Sequence, residues 1–344
     1  VPITLTDRLK SPIETDLKNW EEEPHCVMKY GGDATLAETL YPELSRKIGA
    51  NRVYEISLLS NIVGMQIPGL HSLFLSAVIE FGNNNILICP FFRVDKIDRR
   101  FGIIDLEYSG NNLTCRLKAL ERPHYKTRTC SEIEGKIPRS LVLDRKKILI
   151  IGGSRGIGAA VAQVASILGA DTTITYNAGA SDARRLCADI QAFTMRKVGM
   201  MMLDITDMRQ IEALKFDYDV LFFFASPKIM ATQGEFDLDL FDNFYKIYCK
   251  SFQIIARYFH QGGGSLIYWP STIFLSQDIN NFKEYTLAKS IGERVCNSLQ
   301  RETKMKIIVE RLDKIETDQT ISLIKEPMLD SIDVAIDITK ISMR

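Results

Sequence analysis

From residue 136 onward the sequence predicts an α/β domain built on a doubly wound parallel sheet, and residues 1–135 predict a separate α+β domain. Three observations carry this. Beyond Lys146, short apolar runs rich in β-branched residues alternate with stretches of helical periodicity. The first of those runs leads through a glycine-rich turn straight into a helical pattern. Before residue 130 that alternation is absent, and strand-like runs follow one another across short polar turns.

In the first domain, "PGLHSLFLSAVIEFG" (68–82) reads as one mostly apolar helix. After it, "NILICPFFRVDK", "RFGIIDLEYSG" and "NLTCRLKALERP" read as strands, with Gly110-Asn111-Asn112 turning between the last two. A buried helix wrapped by an antiparallel sheet would cover that helix on several sides. The stretch 132–147, "EIEGKIPRSLVLDRKK", carries the Gly, Pro and charge of a domain boundary. Beyond it, "KILIIGG" is a strand, 156–169 a helix, "DTTITYN" a strand and 181–193 a helix. "KVGMMMLD" is a strand whose Met200, Met201 and Met202 read as core, followed by a short helix at 207–214. "DYDVLFFFAS" is a strand, 239–259 a long helix, "GSLIYWPS" a strand, 284–302 a helix and "KIIVERL" a strand. Buried strands separated by helices of this length imply right-handed crossovers and a parallel sheet.

The 43 basic and 43 acidic residues cancel, so neither nucleic acid nor an anionic membrane is expected as the main partner. No apolar run reaches the roughly 18–20 residues of a membrane span. The first twenty residues are charged throughout, without the apolar core of a signal peptide. Seven scattered cysteines form no CxxC and no regular spacing with the four histidines. Reduced thiols in a cytoplasmic protein without a metal site are the expectation.

The glycine turn is the first chemical signal. Gly152, Gly153, Gly156 and Gly158 lie where a strand becomes a helix, the arrangement that lets a diphosphate meet the first N–H groups of the helix. An NAD site places an acid at the end of the second strand for the ribose 2′-hydroxyl, but here Tyr176 and Asn177 stand there. Arg155, within the turn, can face a 2′-phosphate instead, which favours NADPH. Asp204, ending the third strand, is placed either to bind the adenine amine or to cap the turn before Ile205 and Thr206. The second signal is "EYTLAKS". Tyr285 and Lys289 are one helical turn apart, and a neighbouring ammonium lowers a phenol toward the range useful for proton transfer. Ser271, fourteen residues before Tyr285, ends a strand at the carboxyl edge of the sheet, where its hydroxyl can hold a carbonyl oxygen.

Together these residues resemble the short-chain dehydrogenase/reductases, over residues 144 to about 317. "GGSRGIG" is similar to that family's TGxxxGxG loop, Tyr285 and Lys289 match YxxxK, and Ser271 matches the catalytic serine with one extra residue between. "DVLFFFAS" is similar to the DxLVNNAG strand, with Phe224 where the family has an Asn. The resemblance implies a Rossmann sheet, Tyr285 as general acid, Lys289 orienting the nicotinamide ribose, and Ser271 positioning the substrate oxygen. It implies cofactor contacts from Gly152, Gly153, Ser154, Arg155, Gly156, Ile157, Gly158, Tyr176, Asn177, Asp204, Ile205, Ala225 and Lys289. The family's catalytic Asn, in the helix before the serine strand, has no match; "KIYCKSF" offers Tyr248 and Lys250 there. Lys250 resembles the helix lysine of polyketide-synthase ketoreductases and is a fourth catalytic candidate.

Residues 30–123 resemble the hot-dog fold of acyl-ACP and acyl-CoA dehydratases and thioesterases, which implies an acyl-pantetheine tunnel beside the helix. His71 is a candidate base and Asp33 a candidate carboxylate, but neither hot-dog dehydratase pattern fits. An inactive module that packs, dimerises or shelters an acyl chain is expected. The implied function is NADPH-dependent reduction of a 3-ketoacyl thioester, on acyl carrier protein or coenzyme A, in a homo-oligomer formed through the two long helices; the alternatives are a bifunctional reductase-dehydratase that uses His71, and a catalytically silent NADP-binding scaffold of an acyl-processing assembly.

Overall fold

A computed structural model describes residues 4–6, 12–13, 17–22, 24–28, 34–82, 89–123, 125, 127–232, 234–277, 280–321 and 327–343. The chain forms two compact units, Val1–His124 and Tyr125–Arg344.

In the first unit six strands form one sheet in the order β1-β2-β4-β5-β6-β3. They are β1 (Thr4–Thr6), β2 (His25–Met28), β3 (Ser72–Phe81), β4 (Phe91–Asp98), β5 (Ile103–Ser109) and β6 (Leu113–Glu121). β1 runs parallel to β2 and every other pairing is antiparallel. The helix that covers the sheet is Ala50–Asn61, continued by a π-helical turn at Ile62–Gln66. Its Leu58, Leu59, Ile62 and Val63 share a core with Phe92, Val94, Ile104, Leu106 and Leu117. The run 68–82 is therefore a strand and not the expected helix. It pairs with β6 from Ser72↔Glu121 to Phe81↔Leu113, with one bulge. A run apolar on both faces carries no periodicity to separate helix from strand. Here β3 is also a sheet edge, with Phe74, Val78 and Phe81 about half exposed.

Glu55 ties this helix to the sheet. Though only 6% exposed, its carboxylate accepts from the backbone N–H groups of Asn111 and Asn112, both at 3.1 Å, and from Asn112 Nδ2 at 2.6 Å. The β5–β6 turn is thus satisfied from the helix. Glu55→Ala leaves several of these donors unpaired and is expected to cost about 2–4 kcal/mol. The measurement is the urea midpoint of the first unit, followed by Trp20, whose ring packs against Phe92 at 5.4 Å. His71 lies in the turn before β3, its carbonyl accepting from Arg122 N at 2.8 Å. Asp33 falls outside the described residues.

The second unit is a six-stranded sheet in the order β12-β11-β10-β7-β8-β9, parallel throughout. Its strands are β7 (Lys147–Ile151), β8 (Asp171–Tyr176), β9 (Gly199–Met202), β10 (Val220–Phe223), β11 (Leu266–Thr272) and β12 (Lys306–Leu312). β7 shows why its sequence is apolar at every position from Ile148 to Ile151. Ile148 and Ile150 pack under the helices Gly156–Ile167 and Ser331–Ile341, while Leu149 and Ile151 pack under Leu238–Gln261 and Lys283–Thr303. Both faces are buried, as a doubly wound sheet requires. β9 is the outer edge, so Met202 is 64% exposed, and the reading of all three methionines as core does not hold. The expected helix 239–259 is interrupted by a π-helical turn at Lys246–Ser251. Sequence-adjacent strands part company between β7 and β10, the position at whose carboxyl edge open α/β sheets bind ligands. Among the described residues, no helix is long and apolar enough to cross a membrane and no group of three acidic, histidine or cysteine side chains could hold a metal.

Candidate active site

The turn after β7 is shaped by close backbone approach. Gly152 has φ +78°, and a Cβ there would lie 2.7 Å from Ala225 N and 2.8 Å from its Cα. A Cβ on Gly158 would overlap the carbonyl oxygen of Gly152. The turn therefore folds onto itself and onto the residues after β10. The helix Gly156–Ile167 begins within it, and no side chain caps its first N–H groups. Those donors are what an anionic group would meet.

The flanking residues fit a phosphorylated ribose. β8 ends at Tyr176 and Asn177 with no carboxylate. Arg155 is half-exposed beside Gly179 and is held loosely, 3.7 Å from Asp182 and 3.9 Å from Asp318. Asp204 takes its capping role: Oδ1 accepts from Thr206 N at 2.8 Å and from the Thr206 hydroxyl at 2.7 Å. Ile205 is buried in the core, leaving its backbone for any ligand contact. Phe224 packs back against Phe222 and Tyr268 at 6.1 and 5.9 Å.

At the end of β11 two successive hydroxyls have different partners. Ser271 donates to Glu293 Oε1 at 2.6 Å, and Glu293 in turn receives a two-pronged ion pair from Arg311, both contacts at 2.8 Å. The hydroxyl of Thr272, the next residue, accepts from Phe274 N at 3.2 Å and lies near enough to the Tyr285 phenol to favour its ionised form. Successive strand residues point to opposite faces, so only one of the pair can serve the phenol. Thr272 also lies thirteen residues before Tyr285, which removes the extra residue that Ser271 required.

Tyr285 and Lys289 are both buried, at 8% and 5% exposure, on one face of the helix Lys283–Thr303. The Tyr285 ring meets Phe244 and Tyr248 edge-on at 5.6 and 5.9 Å. Burial pushes its phenol up to about 12, while the nearby Thr272 hydroxyl acts in the opposite direction. The expected lowering by the Lys289 ammonium is absent. That ammonium lies behind the ring, 5.9 Å from its centroid, and donates to Pro270 O at 2.7 Å. Burial pushes Lys289 down to about 7.

Lys250 does not join the site. It is exposed, with its Nζ 5.4 Å from the Tyr245 ring. Tyr248, two residues earlier on the π-helical turn, faces inward instead, and its hydroxyl shares a 2.6 Å hydrogen bond with Ser226 just beyond β10. Ser226 follows Ala225, the residue against which Gly152 closes, so contact is continuous from the glycine turn to the phenol. Glu284 is a further residue that sequence patterning missed. It is 1% exposed and accepts from the Thr232 hydroxyl at 2.8 Å and from Asp237 N at 2.9 Å, fastening the stretch after β10 to the start of the tyrosine helix. An acid beside an aromatic in a helix's first turn looks like an ordinary solvated charge, and no signal distinguished it.

A family model described as short chain dehydrogenase matches residues 146–317, half of the chain. No curated protein matches the sequence. Similar solved structures include a short chain dehydrogenase from Burkholderia cenocepacia J2315 in complex with NADP, at TM-score 0.53 and 21% identity over 58% of this chain and 91% of that one. A dehydrogenase/reductase from Sinorhizobium meliloti 1021 aligns at 0.52 and 20% over 58% and 89%. A short chain dehydrogenase from Escherichia coli CFT073 complexed with NADPH aligns at 0.53 and 16% over 60% and 93%. At these identities the likeness is one of fold.

Proposed function

The chain belongs to the short-chain dehydrogenase family, and on that premise we propose that residues 146–317 form an NADPH-dependent carbonyl reductase whose substrate is a 3-ketoacyl thioester on coenzyme A or an acyl carrier protein. The observation that carries the reductase reading is the buried Tyr285 phenol near Thr272 at the carboxyl edge of β11, its ring in contact through Tyr248 and Ser226 with the stretch against which the glycine turn closes.

When bound, NADPH supplies a hydride to the carbonyl carbon. The Gly152–Gly158 turn and the uncapped helix behind it receive the diphosphate, and Arg155 receives the 2′-phosphate. Thr272 holds the carbonyl oxygen and Tyr285 gives it a proton. A phenol held near 12 is fully protonated at neutral pH, the form a donor needs. An alkoxide is the conjugate base of a still weaker acid, so the proton moves downhill. Lys289, anchored on Pro270, steadies the strand end that carries Thr272.

The choice of a thioester as substrate is drawn from the fold of the first unit. The helix Ala50–Asn61, packed on a mostly antiparallel sheet, supports the hot-dog likeness, and with it an acyl-pantetheine substrate. A second reading, an NADPH-binding subunit without turnover, draws on one observation: the Lys289 ammonium is committed to Pro270 O and to ring faces. Acetoacetyl thioesters with NADPH separate the two. The reductase reading expects loss of the reduced-nicotinamide absorbance and a 3-hydroxyacyl product by mass spectrometry. NADPH binding with no turnover on any carbonyl would sink it in favour of the second.

Cofactor choice has its own test. Arg155→Ala is expected to weaken NADPH binding about tenfold to a hundredfold, the worth of a charge-assisted hydrogen bond, and to leave NADH binding nearly unchanged. Fluorescence titration with both nucleotides reads it, and equal losses for the two would remove Arg155 from the 2′-phosphate.

A further inference from the structure

The carboxylate that acts on Lys289, Glu293, is itself ion-paired with Arg311. The Lys289 Nζ lies 4.0 Å from the centroid of the Tyr248 ring and 4.4 Å from that of Trp269, and the two rings meet edge to face at 85°. The titratable groups facing it are Cys249 on the π-helical turn and Tyr285, Glu293 and Cys296 on its own helix. Burial pushes the Cys249 thiol up to about 12 and Cys296 higher, so both stay neutral. Glu293 is engaged by Arg311 and Ser271. What meets the ammonium directly is therefore one carbonyl and two aromatic faces. A cation over a ring is attracted by its quadrupole, most strongly where water is excluded.

Both rings are held in place. The Tyr248 hydroxyl is bound to Ser226 at 2.6 Å. Trp269 is fully buried and lies over Gly292, where a Cβ would come within 2.5 Å of Cζ2 and 2.6 Å of Cη2. We propose that Tyr248 is a positioning residue: the face of its ring, together with that of Trp269, is the seat that holds the Lys289 ammonium against Pro270, beside the proton-donating phenol. The role in turnover rests on the reductase reading, whereas the seat is measurable without cofactor or substrate.

The experiment is NMR on the full chain labelled with [ε-13C]lysine, with the Lys289 signal identified as the one Lys289→Met lacks. Ring currents are expected to move the Lys289 ε-CH2 protons upfield of the other lysines. Tyr248→Phe, which keeps the face and loses the hydroxyl, retains that shift and the titration midpoint of Lys289. Tyr248→Leu loses the shift, and its midpoint falls by about one unit, a tenfold drop in proton affinity of the size of a desolvated cation–π contact. A wild-type signal at the position of exposed lysines would overturn the proposal, as would Phe and Leu variants that move alike. Should Tyr248→Leu fail to fold, the wild-type and Tyr248→Phe shifts decide alone. An intact signature in a protein without turnover would sink the reductase reading and leave the seat standing.

Discussion

Tyr285→Phe is expected to lower kcat for carbonyl reduction by about 10²–10⁴-fold, the usual worth of a positioned general acid. The substitution removes one oxygen and keeps the ring, so the edge-on contacts with Phe244 and Tyr248 survive and the fold should not change. NADPH affinity should stay within about twofold, because the proton is needed in the transition state and not for binding. The loss therefore belongs in kcat. The phenol is protonated throughout the neutral range, so any fall in rate above neutrality reports the Lys289 ammonium losing its proton, not Tyr285. A Tyr285→Phe enzyme with wild-type kcat would mean that water or another hydroxyl donates, and the assignment of the phenol would fail.

Gly152→Ala is expected to damage both the fold and the cofactor turn of the second unit. At φ +78° an alanine is strained, and its Cβ would press on Ala225 N at 2.7 Å and on Phe224 C at 2.9 Å. Backbone strain and overpacking each cost about 1–3 kcal/mol. These atoms are backbone, so no flexible side chain can swing aside. The turn and the residues after β10 must separate, and the N–H groups that face a diphosphate move with them. NADPH affinity is expected to fall about a hundredfold or more, with a lower thermal midpoint. Calorimetric titration and a melting curve read both. A variant that binds NADPH normally would show that this close approach has no part in the cofactor site.

The legible parts of the chain were those in which one residue's environment follows from its neighbours in sequence. β7 is apolar at successive positions because both its faces are covered, and that pattern is visible without coordinates. Tyr285 and Lys289 share a helix face because helices repeat every 3.6 residues. Where two assignments differed by one or two residues, sequence could not choose. Ser271 and Thr272 are both hydroxyls at the end of β11, and the strand's pleat sends one to Glu293 and the other to the phenol. Tyr248 and Lys250 are both polar on one turn, and local π-helical winding turns the tyrosine in and leaves the lysine out. The run 68–82 was misread as a helix because its partner, β6, lies about forty residues along the chain and supplies the hydrogen bonds that a local pattern cannot reveal.

By itself the sequence determined the parallel sheet, the glycine turn between strand and helix, and the tyrosine and lysine of one helical turn, since each depends on spacing within a few residues. Only the tertiary structure decided which hydroxyl meets the phenol, that Lys289 rests among aromatic faces instead of lowering the tyrosine, and that Glu284 fastens the stretch after β10. Those are contacts between elements far apart in the chain, and burial sets their acidities. Packing fixes both, and packing has no period that a sequence can display.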